Sequence, residues 1–342
     1  MKYAKLFSII VFVVAGLYGA IGLYFLPLAG FEGGLTRIGL LPETLFGWTK
    51  SQPAVDPALI KQASWQDADV LVIGDSFSDG RIWQTELVRH GLRVRTEHWS
   101  SIRGICDDFT PWLLAQGFRG KQIVLEVVEQ NVETGLANYV SCKNMDFHSS
   151  VLAEMPRKAP PTHIDRNKPD YSGRLSIGLQ TRLNMYKYEK LSAQPDFKSW
   201  DTGRGSIVTR LADGCKLFSH ARCSDVLFLA ADSPRDLGVD VINNMQTLDK
   251  RMTGLNVLWA IIPNKTTAYL YPDKRFWDQA ELRVHSANLL KTVRQAIQAQ
   301  TVDVYPANDS HFSTETYLAM GRIILQGIEQ SATIQSRLKE IH

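Results

Sequence analysis

The run Asp69-Val70-Leu71-Val72-Ile73-Gly74-Asp75-Ser76-Phe77-Ser78 decides the fold expected for this chain. Its first half is a continuous apolar stretch, and we predict a strand over 69–73 that ends at Gly74. A strand without polar alternation is typical of a central parallel strand that is buried on both faces. After the polar turn we predict a helix over 79–90, because Gly91 supplies a stop signal for a helix.

The same rhythm of strand and helix continues through most of the chain. We predict strands over 92–96, 122–128, 226–230, 255–262 and 302–305, and helices over 110–116, 241–252, 278–300 and 313–330. Strands that alternate with helices predict an α/β fold with a parallel sheet covered on both faces. Residues 135–225 break this rhythm and are rich in proline and polar residues, so we interpret them as a long insertion in one domain.

The N-terminal 30 residues have the composition of a membrane-spanning helix. Lys2 and Lys5 precede residues 6–30, which contain no charged side chain, and this length suffices to cross a hydrocarbon core of ~30 Å. A cleaved signal peptide is the alternative, but the small-residue cleavage site that it needs is poor here. The lysines before the span predict a cytoplasmic N-terminus, an inner-membrane anchor and an extracytoplasmic remainder.

The predicted organisation therefore has three parts. Residues 1–30 are the transmembrane anchor, residues 31–65 are a juxtamembrane connector, and residues 66–342 are the α/β domain, which the motifs discussed below predict to be catalytic, with its insertion at about 135–225. Small residues within the anchor would let another transmembrane helix approach closely, although Gly and Ala are common in membrane spans in any case.

Charge and cysteine content restrict the partners and the compartment. The net charge is +3 and the basic residues are scattered, which disfavours a nucleic-acid partner. An even number of cysteines in an oxidising compartment indicates disulfides. Cys215 and Cys223 would close a short loop and leave Cys106 with Cys142, while spacing alone leaves other pairings open. A zinc site is disfavoured, because no Cys-x-x-Cys or His pair accompanies them.

Ser76 is the candidate nucleophile. Its hydroxyl would lie beyond the carboxyl end of a central strand, where open α/β sheets place their ligands. The start of the predicted helix would add N–H groups and positive dipole character for an oxyanion. The alternative is that Asp75 or Ser76 only caps this helix.

A second group of candidates lies near the C-terminus, in Asn308-Asp309-Ser310-His311-Phe312-Ser313. His311 can act as general base towards a serine while a carboxylate orients its other nitrogen. Asp309 and His311 are two positions apart, so they face the same side of an extended segment. The alternative is a capping role for Ser313, with His311 as an ordinary loop residue.

The combination of Gly-Asp-Ser after the first core strand and Asp-x-His before the last helix resembles the SGNH (GDSL-type) hydrolase superfamily. The chain is more similar to one branch, the membrane-anchored O-acetyltransferases of alginate and other exopolysaccharides. The similarity covers about residues 66–330 apart from the insertion, and these segments carry it: Gly74-Asp75-Ser76-Phe77, Glu126-Val127-Val128-Glu129-Gln130-Asn131, the Pro-x-Lys-x-x-x-Tyr-like segment Pro263-Asn264-Lys265-Thr266-Thr267-Ala268-Tyr269, and Asp309-Ser310-His311-Phe312.

This resemblance implies a three-layer, flavodoxin-like parallel sheet and a set of catalytic roles. Ser76 would be the nucleophile, His311 the base and Asp309 the acid that orients it. The superfamily also takes oxyanion donors from the ends of the next two strands, for which the candidates are Gly104, Gln130 and Asn131. The superfamily's Gly-x-Asn-Asp block is absent, and Glu-Gln-Asn stands where this branch often has Glu-Arg.

Lys265 and Tyr269, in the Pro-x-Lys-x-x-x-Tyr-like segment, either contact substrate or pack beneath the site. The sequence predicts no metal site and no cofactor.

The activity that the resemblance implies is O-acetylation of an exopolysaccharide or cell-envelope glycan through an acetyl group bound to Ser76. A membrane-bound O-acyltransferase would be the partner that supplies the acetyl group. Water and a sugar hydroxyl attack the same acyl-enzyme, so a glycan acetyl esterase is the alternative enzyme. A non-catalytic glycan-binding subunit of an acetylation complex is the third hypothesis.

Overall fold

A computed structural model describes residues 2–25, 32–148, 155–165 and 175–341 of the chain. The chain divides into two compact units, and each is built from separate segments. The first unit comprises Met1–Lys50, His163–Ala230 and Pro306–Ser310, and the second comprises Ser51–Thr162, Ala231–Tyr305 and His311–His342. The predicted division into anchor, connector and catalytic domain is based on composition and motifs rather than on contacts, and it stays a prediction.

In chain order, the described strands are β1 (Val70–Gly74), β2 (Val94–His98), β3 (Gln122–Val128), β4 (Ser199–Asp201), β5 (Ser206–Arg210), β6 (Asp225–Leu229), β7 (Asn256–Ile262) and β8 (Ser286–Ala287). The described helices are α1 (Lys2–Phe25), α2 (Gly34–Gly39), α3 (Glu43–Phe46), α4 (Ser76–Asp79), α5 (Gln84–Arg89), α6 (Trp99–Ile102), α7 (Phe109–Ala115), α8 (Glu129–Val140), α9 (Leu175–Ser192), α10 (Gly214–Leu217), α11 (Val239–Arg251), α12 (Lys265–Tyr269), α13 (Phe276–Arg283), α14 (Leu289–Gln298) and α15 (Thr314–Ile341), with a 3-10 turn at Pro57–Leu59.

The second unit is built around a parallel sheet. Its strands pair in the order β2-β1-β3-β7-β8, and each pair is parallel. The predicted α/β class with a parallel central sheet is therefore confirmed, whereas the details specific to the SGNH superfamily stay a prediction.

Burial on both faces explains why the strands of this sheet are continuously apolar. In β1, Leu71 and Ile73 belong to one apolar cluster, whereas Val70 and Val72 belong to another. Helices α6, α7, α8, α11 and α13 complete the first cluster, and α5, α14 and α15 complete most of the second. Since successive side chains of a strand point to opposite faces, the sheet lies between two helical layers.

The structure corrects four of the predicted elements. The predicted long helix over 278–300 is wrong, because β8 separates α13 from α14 and joins the edge of the sheet beside β7. Residues 302–305 form a turn with Asp303 at a φ of 59° rather than a strand. The predicted helix over 79–90 is two shorter helices, α4 and α5. The predicted strand over 226–230 is β6, which is not part of the parallel sheet.

The first unit contains an antiparallel sheet in the order β4-β5-β6. Its apolar core joins side chains from the predicted connector with side chains from the predicted insertion and from β6: Leu35, Leu41, Phe46, Tyr188, Trp200, Val208 and Leu227. The first part of the predicted connector therefore supplies α2 and α3 to a packed core.

Helix α1 and the cysteines agree with an exported, anchored chain. Among the described residues, one helix is long and apolar enough to cross a membrane, and it covers Tyr3–Phe25. Disulfides join Cys106 to Cys142 and Cys215 to Cys223, so the pairing that spacing suggested is confirmed. Both features are compatible with a single-pass membrane protein that has an extracytoplasmic domain. Its orientation stays a prediction.

Candidate active site

Ser76 and His311 meet in the second unit although they are 235 residues apart in the sequence. Ser76 Oγ lies 2.9 Å from His311 Nε2, and Ser76 is exposed directly after β1. The His311 ring packs on the Phe77 ring with centroids 4.7 Å apart, which restrains the imidazole. With Nε2 unprotonated, the serine hydroxyl donates to it, and this is the geometry that a nucleophile and its general base require.

Asp75 holds the turn that presents Ser76. Its Oδ1 accepts a hydrogen bond from Phe77 N–H at 3.1 Å, and its Oδ2 accepts one from Val128 N–H at 2.8 Å. The second bond ties the turn after β1 to the end of the neighbouring strand β3. Asp75 is thus the cap of α4, and Ser76 is the first helical residue. Because α4 has only 4 residues, its dipole contributes little to the stabilisation of an oxyanion.

Glu126 lies beneath this turn. Its Oε2 accepts hydrogen bonds from Asp75 N–H at 3.0 Å and from Ser78 Oγ–H at 2.7 Å. Trp83 Nε1–H in turn donates to Ser78 Oγ at 3.2 Å. A Cβ at Gly74 would lie 2.6 Å from Glu126 Oε2, so this strand end needs glycine for the carboxyl to reach the turn.

Glu126 and Asp75 form a pair of neighbouring carboxyl groups. Burial raises the pKa of Glu126 well above its usual range, and the neighbouring charge of Asp75 raises this pKa further. Glu126 Oε1 is buried and has no hydrogen-bond partner among the described residues. Both effects favour the neutral form of Glu126 beside the Asp75 carboxyl group.

Asp309 belongs to the first unit, where the start of α2 holds its carboxylate. Gly34 N–H donates to Asp309 Oδ2 at 2.8 Å. The preceding residue, Asn308, accepts a hydrogen bond from Leu35 N–H at its carbonyl oxygen, with a distance of 2.9 Å. The segment that follows the anchor therefore fixes the loop that contains the predicted orienting acid. The role of Asp309 towards His311 stays a prediction.

A buried glutamate, Glu43, organises this loop. It accepts hydrogen bonds from Gly33 N–H at 3.0 Å, from Asn308 Nδ2–H at 2.8 Å and from the hydroxyl of Thr36. Burial raises the pKa of Glu43, while these donors act in the opposite direction. A Cβ at Gly33 would lie 2.6 Å from Asn308 Nδ2 and closer still to the Asn308 carbonyl oxygen, so the close approach requires glycine.

The three oxyanion candidates follow two strands of the parallel sheet. Gly104 is buried, and a Cβ there would lie 2.9 Å from Cys142 Sγ, so the disulfide accounts for a glycine at this position. Gln130 and Asn131 are exposed in the first turn of α8, directly after β3. Because β1 and β3 are parallel neighbours, both residues follow the same edge of the sheet as Ser76. An oxyanion role stays a prediction for all three.

Lys265 and Tyr269 lie on α12, directly after β7. Lys265 is 1 % exposed. Burial raises the pKa of the neighbouring Asp232, and the charge of Lys265 partly opposes this shift. Tyr269 Oη accepts a hydrogen bond from Tyr305 N–H at 3.5 Å, and burial raises the pKa of Tyr269. These are contacts within the unit, and a substrate role of either residue stays a prediction.

Two buried acids to which sequence reasoning gave no role join the strand ends of the second unit. Besides Glu126 there is Glu129, which accepts from Asn264 N–H at 2.8 Å, Thr267 Oγ1–H at 2.9 Å and Lys274 Nζ–H at 2.5 Å. These bonds link the end of β3 to the segment after β7. The signal for Glu126 is visible in the sequence, since a charged residue inside an apolar strand requires a buried polar partner.

No protein-family model, no curated protein and no solved structure matches this chain. The similarity to the SGNH superfamily therefore rests on the motifs, and the site must be judged by its own geometry.

Proposed function

We propose that this chain is an O-acetyltransferase that modifies an exopolysaccharide or cell-envelope glycan through an acetyl group carried on Ser76. The observation that carries the proposal is the 2.9 Å distance between Ser76 Oγ and His311 Nε2. The exposure of Ser76 at the carboxyl end of a parallel sheet supports it, because substrates of α/β enzymes bind at this edge. The Gly-Asp-Ser and Asp-x-His motifs support the choice of an acyl-transfer reaction.

The proposed reaction has two steps. First, Ser76 Oγ attacks the carbonyl carbon of an acetyl donor while His311 Nε2 takes the hydroxyl proton, and the leaving group departs with that proton. An acetyl ester then remains on Ser76. Second, a sugar hydroxyl attacks this ester and gives its proton to His311, which returns the proton to Ser76 Oγ as the acetylated sugar leaves.

Other residues have supporting roles in this proposal. Asp309 orients His311 through the second ring nitrogen and stabilises the imidazolium that forms. Gly104, Gln130 and Asn131 are the candidates for oxyanion donors, and the loss of one true donor raises the barrier by ~2.7–4 kcal/mol.

The proposed place of action is the outer side of the inner membrane. Helix α1 would be the anchor with its N-terminus in the cytoplasm, and a membrane-bound O-acyltransferase would deliver the acetyl group. The two disulfides support an oxidising compartment, since such bonds persist outside the cytoplasm.

A glycan acetyl esterase is the second candidate, and the exposure of Ser76 favours it. Water reaches an exposed acyl-enzyme without any further closure of the site. The two activities share the first step and differ only in the acceptor.

The test uses the full chain in detergent with an activated acetyl ester and a series of sugar oligomers. Acetylated oligomer and free acetate are measured separately. Ser76→Ala should lower acyl transfer at least about 10³-fold, because the covalent step is lost. Ser100→Ala is the matched control: Ser100 is an exposed serine whose Oγ lies 2.7 Å from a histidine nitrogen, His98 Nδ1.

The outcomes separate the hypotheses. Acetylated oligomer from the native chain and from Ser100→Ala, but not from Ser76→Ala, supports the transferase. Acetate without acetylated oligomer at every acceptor concentration supports the esterase instead. Full activity of Ser76→Ala would exclude both enzymes as proposed.

A further inference from the structure

The long helix of the first unit, α9, carries polar side chains on its buried face and large apolar side chains on its exposed face. Three of its buried side chains can form hydrogen bonds: Thr181 is 1 % exposed, Asn184 is 6 % exposed and Tyr188 is fully buried. Asn184 Nδ2–H donates to Gly39 O at 2.9 Å, and the Tyr188 hydroxyl donates to Asp225 Oδ2 at 2.8 Å. The inner face of α9 is thus attached to the unit through these hydrogen bonds as well as through Tyr188 and Leu191, which pack in the apolar core.

The outer face of α9 carries three large apolar side chains. Leu179, Leu183 and Tyr186 are 46 %, 53 % and 67 % exposed, respectively. Their spacing of four and three residues places them in one row along the helix. We call these three residues the outer row. A row of three large apolar side chains turned away from its own core indicates a surface that is covered in the native environment.

The beginning of α9 lies against the end of α1, and both belong to the first unit. The backbones approach so closely that a Cβ at Gly178 would lie 2.5 Å from Phe25 O. One turn further along, Arg182 Nη2–H donates to Tyr24 O at 2.7 Å, and the guanidinium lies 4.0 Å from the centre of the Tyr24 ring. The outer row therefore starts beside the last residues of the candidate membrane span.

The chemistry of this region fits the boundary between headgroups and acyl chains. A span of 23 residues is ~35 Å long, so its end reaches the interface of a bilayer core of ~30 Å. Tyrosine prefers this boundary because its ring is apolar and its hydroxyl is polar. Lys187 and Lys190 are exposed next to the outer row, where they suit anionic headgroups.

We propose that α9 is an interfacial membrane helix, with Leu179, Leu183 and Tyr186 inserted into the lipid surface beside the end of α1. The first unit is then held to the bilayer by two elements, the span and this helix. The proposal relies on α1 as a membrane anchor, and it is independent of the reaction at Ser76.

The experiment places a spin label at position 183 of the full chain through Leu183→Cys. The four native cysteines are paired, so the label reacts with the new thiol. The protein is reconstituted, without other proteins, into vesicles of phosphatidylethanolamine and phosphatidylglycerol. Collision of the label with oxygen, which concentrates in lipid, is compared with collision with a water-soluble nickel chelate. Asp196→Cys, an exposed position after the other end of α9, is the matched control, and Leu17→Cys reports on the span.

We expect the label at position 183 to be more accessible to oxygen than to nickel. Its ratio of oxygen to nickel accessibility should lie between the ratios at positions 17 and 196. A label at 183 that is as accessible to nickel as the label at 196 overturns the proposal, and a protein partner would then be the occupant of the outer row. Spin–spin broadening at 183 in place of lipid contact also overturns it, because a second copy would cover the row. If the labels at positions 17 and 183 are both accessible to nickel, the interfacial helix and the predicted membrane anchor are both overturned. Loss of acetyl transfer alone concerns the reaction at Ser76 and does not contradict the position of α9.

Discussion

Two loops carry the predicted nucleophile and the predicted orienting acid, and one buried glutamate from elsewhere in the chain supports each of them. Glu126 supports the turn at Ser76 in the second unit, and Glu43 supports the loop at Asp309 in the first unit. Burial raises the pKa of both acids. The partners differ, however. Glu43 meets three donors, which favour its charged form, whereas Glu126 also faces the carboxyl group of Asp75.

This difference predicts that the two acids differ in how strongly they favour the neutral form. Donors on both oxygens of Glu43 offset the cost of burying a charge. At Glu126 a second carboxyl group makes the neutral acid the better partner, because a proton between the two groups removes their repulsion. The following tests use this contrast, in order of decreasing effect.

The largest effect is expected from removing the glutamate under the nucleophile turn. Glu126→Ala leaves Asp75 N–H and Ser78 Oγ–H buried without their acceptor, and each orphaned group costs ~1–3 kcal/mol. Glu126→Gln keeps one acceptor oxygen and offers an N–H towards Asp75, as the protonated acid does, so it should cost less than about 1 kcal/mol. Chemical unfolding of the chain in detergent measures both. An equal loss in the free energy of unfolding for Glu126→Ala and Glu126→Gln would contradict a neutral Glu126.

A smaller effect, on activity, is expected from Gly74→Ala. The new Cβ would lie 2.6 Å from Glu126 Oε2 and closer to Ser78 Oγ, so the turn must shift and carry Ser76 away from His311. A displacement of ~1 Å at a catalytic group costs about 10²-fold in rate. Gly80→Ala is the control, because its Cβ would make ordinary contact, 3.4 Å from Ile82. Similar rates of acyl transfer in the two variants would argue against this support of the turn.

The equivalent test in the first unit is Gly33→Ala against Gly34→Ala. A Cβ at Gly33 would collide with the backbone of Asn308, whereas one at Gly34 would lie 3.6 Å from the Asp309 carboxylate. Overpacking of this kind costs ~1–3 kcal/mol, while alanine at Gly34, inside α2, is expected to be neutral or mildly stabilising. Thermal unfolding of the two variants measures the difference. If both behave alike, the loop adapts and does not depend on this close approach.

The smallest effect is a change in how stability depends on pH. Because the pKa of Glu126 is higher in the folded chain, its contribution is complete below the unfolded pKa of about 4.3 and is lost as the pH rises towards the folded value. Each pH unit in that window costs up to about 1.4 kcal/mol. Glu126→Gln should remove this slope. Glu43→Gln should also reduce this dependence of stability on pH, but by less, because the hydrogen-bond donors around Glu43 partly oppose the rise in its pKa.

The readout for this test is the midpoint of urea unfolding between about pH 4.5 and about pH 8. Parallel curves for the native chain and Glu126→Gln would contradict a raised pKa of Glu126 beside Asp75.

The sequence predicts some of this molecule well, and the reason is local. Strand β3 has the predicted bounds, and β1 and β7 differ from prediction by one residue, because an apolar run between polar ends marks a buried strand. The hydrogen bond between Ser76 and His311 also agrees with what the two motifs suggested.

The sequence predictions are wrong where contacts between distant parts of the chain determine the local structure. Residues Ser286 and Ala287 form β8 only because β7 offers a free edge, and the predicted helix over 278–300 ignores this. Val304 and Tyr305 are apolar because they fill the core from a turn, not because they form a strand. Glu43 acquires its role from Asn308, 265 residues further on, and no local pattern marks such a pair.

The interleaving of the two units along the chain has a consequence for biogenesis. The first unit includes the earliest residues and also Pro306–Ser310, and the hydrogen bond from Gly34 to Asp309 spans 275 residues. At a synthesis rate of ~5–20 residues per second, roughly 14–55 s separate the emergence of these two residues. The contacts of Gly33, Gly34 and Glu43 with Asn308 and Asp309 must therefore wait until almost the whole chain has been synthesised. The apolar side chains of the segment after the anchor find their partners at 188–227 earlier, so the loop at Asp309 is the last part of the first unit to be fixed.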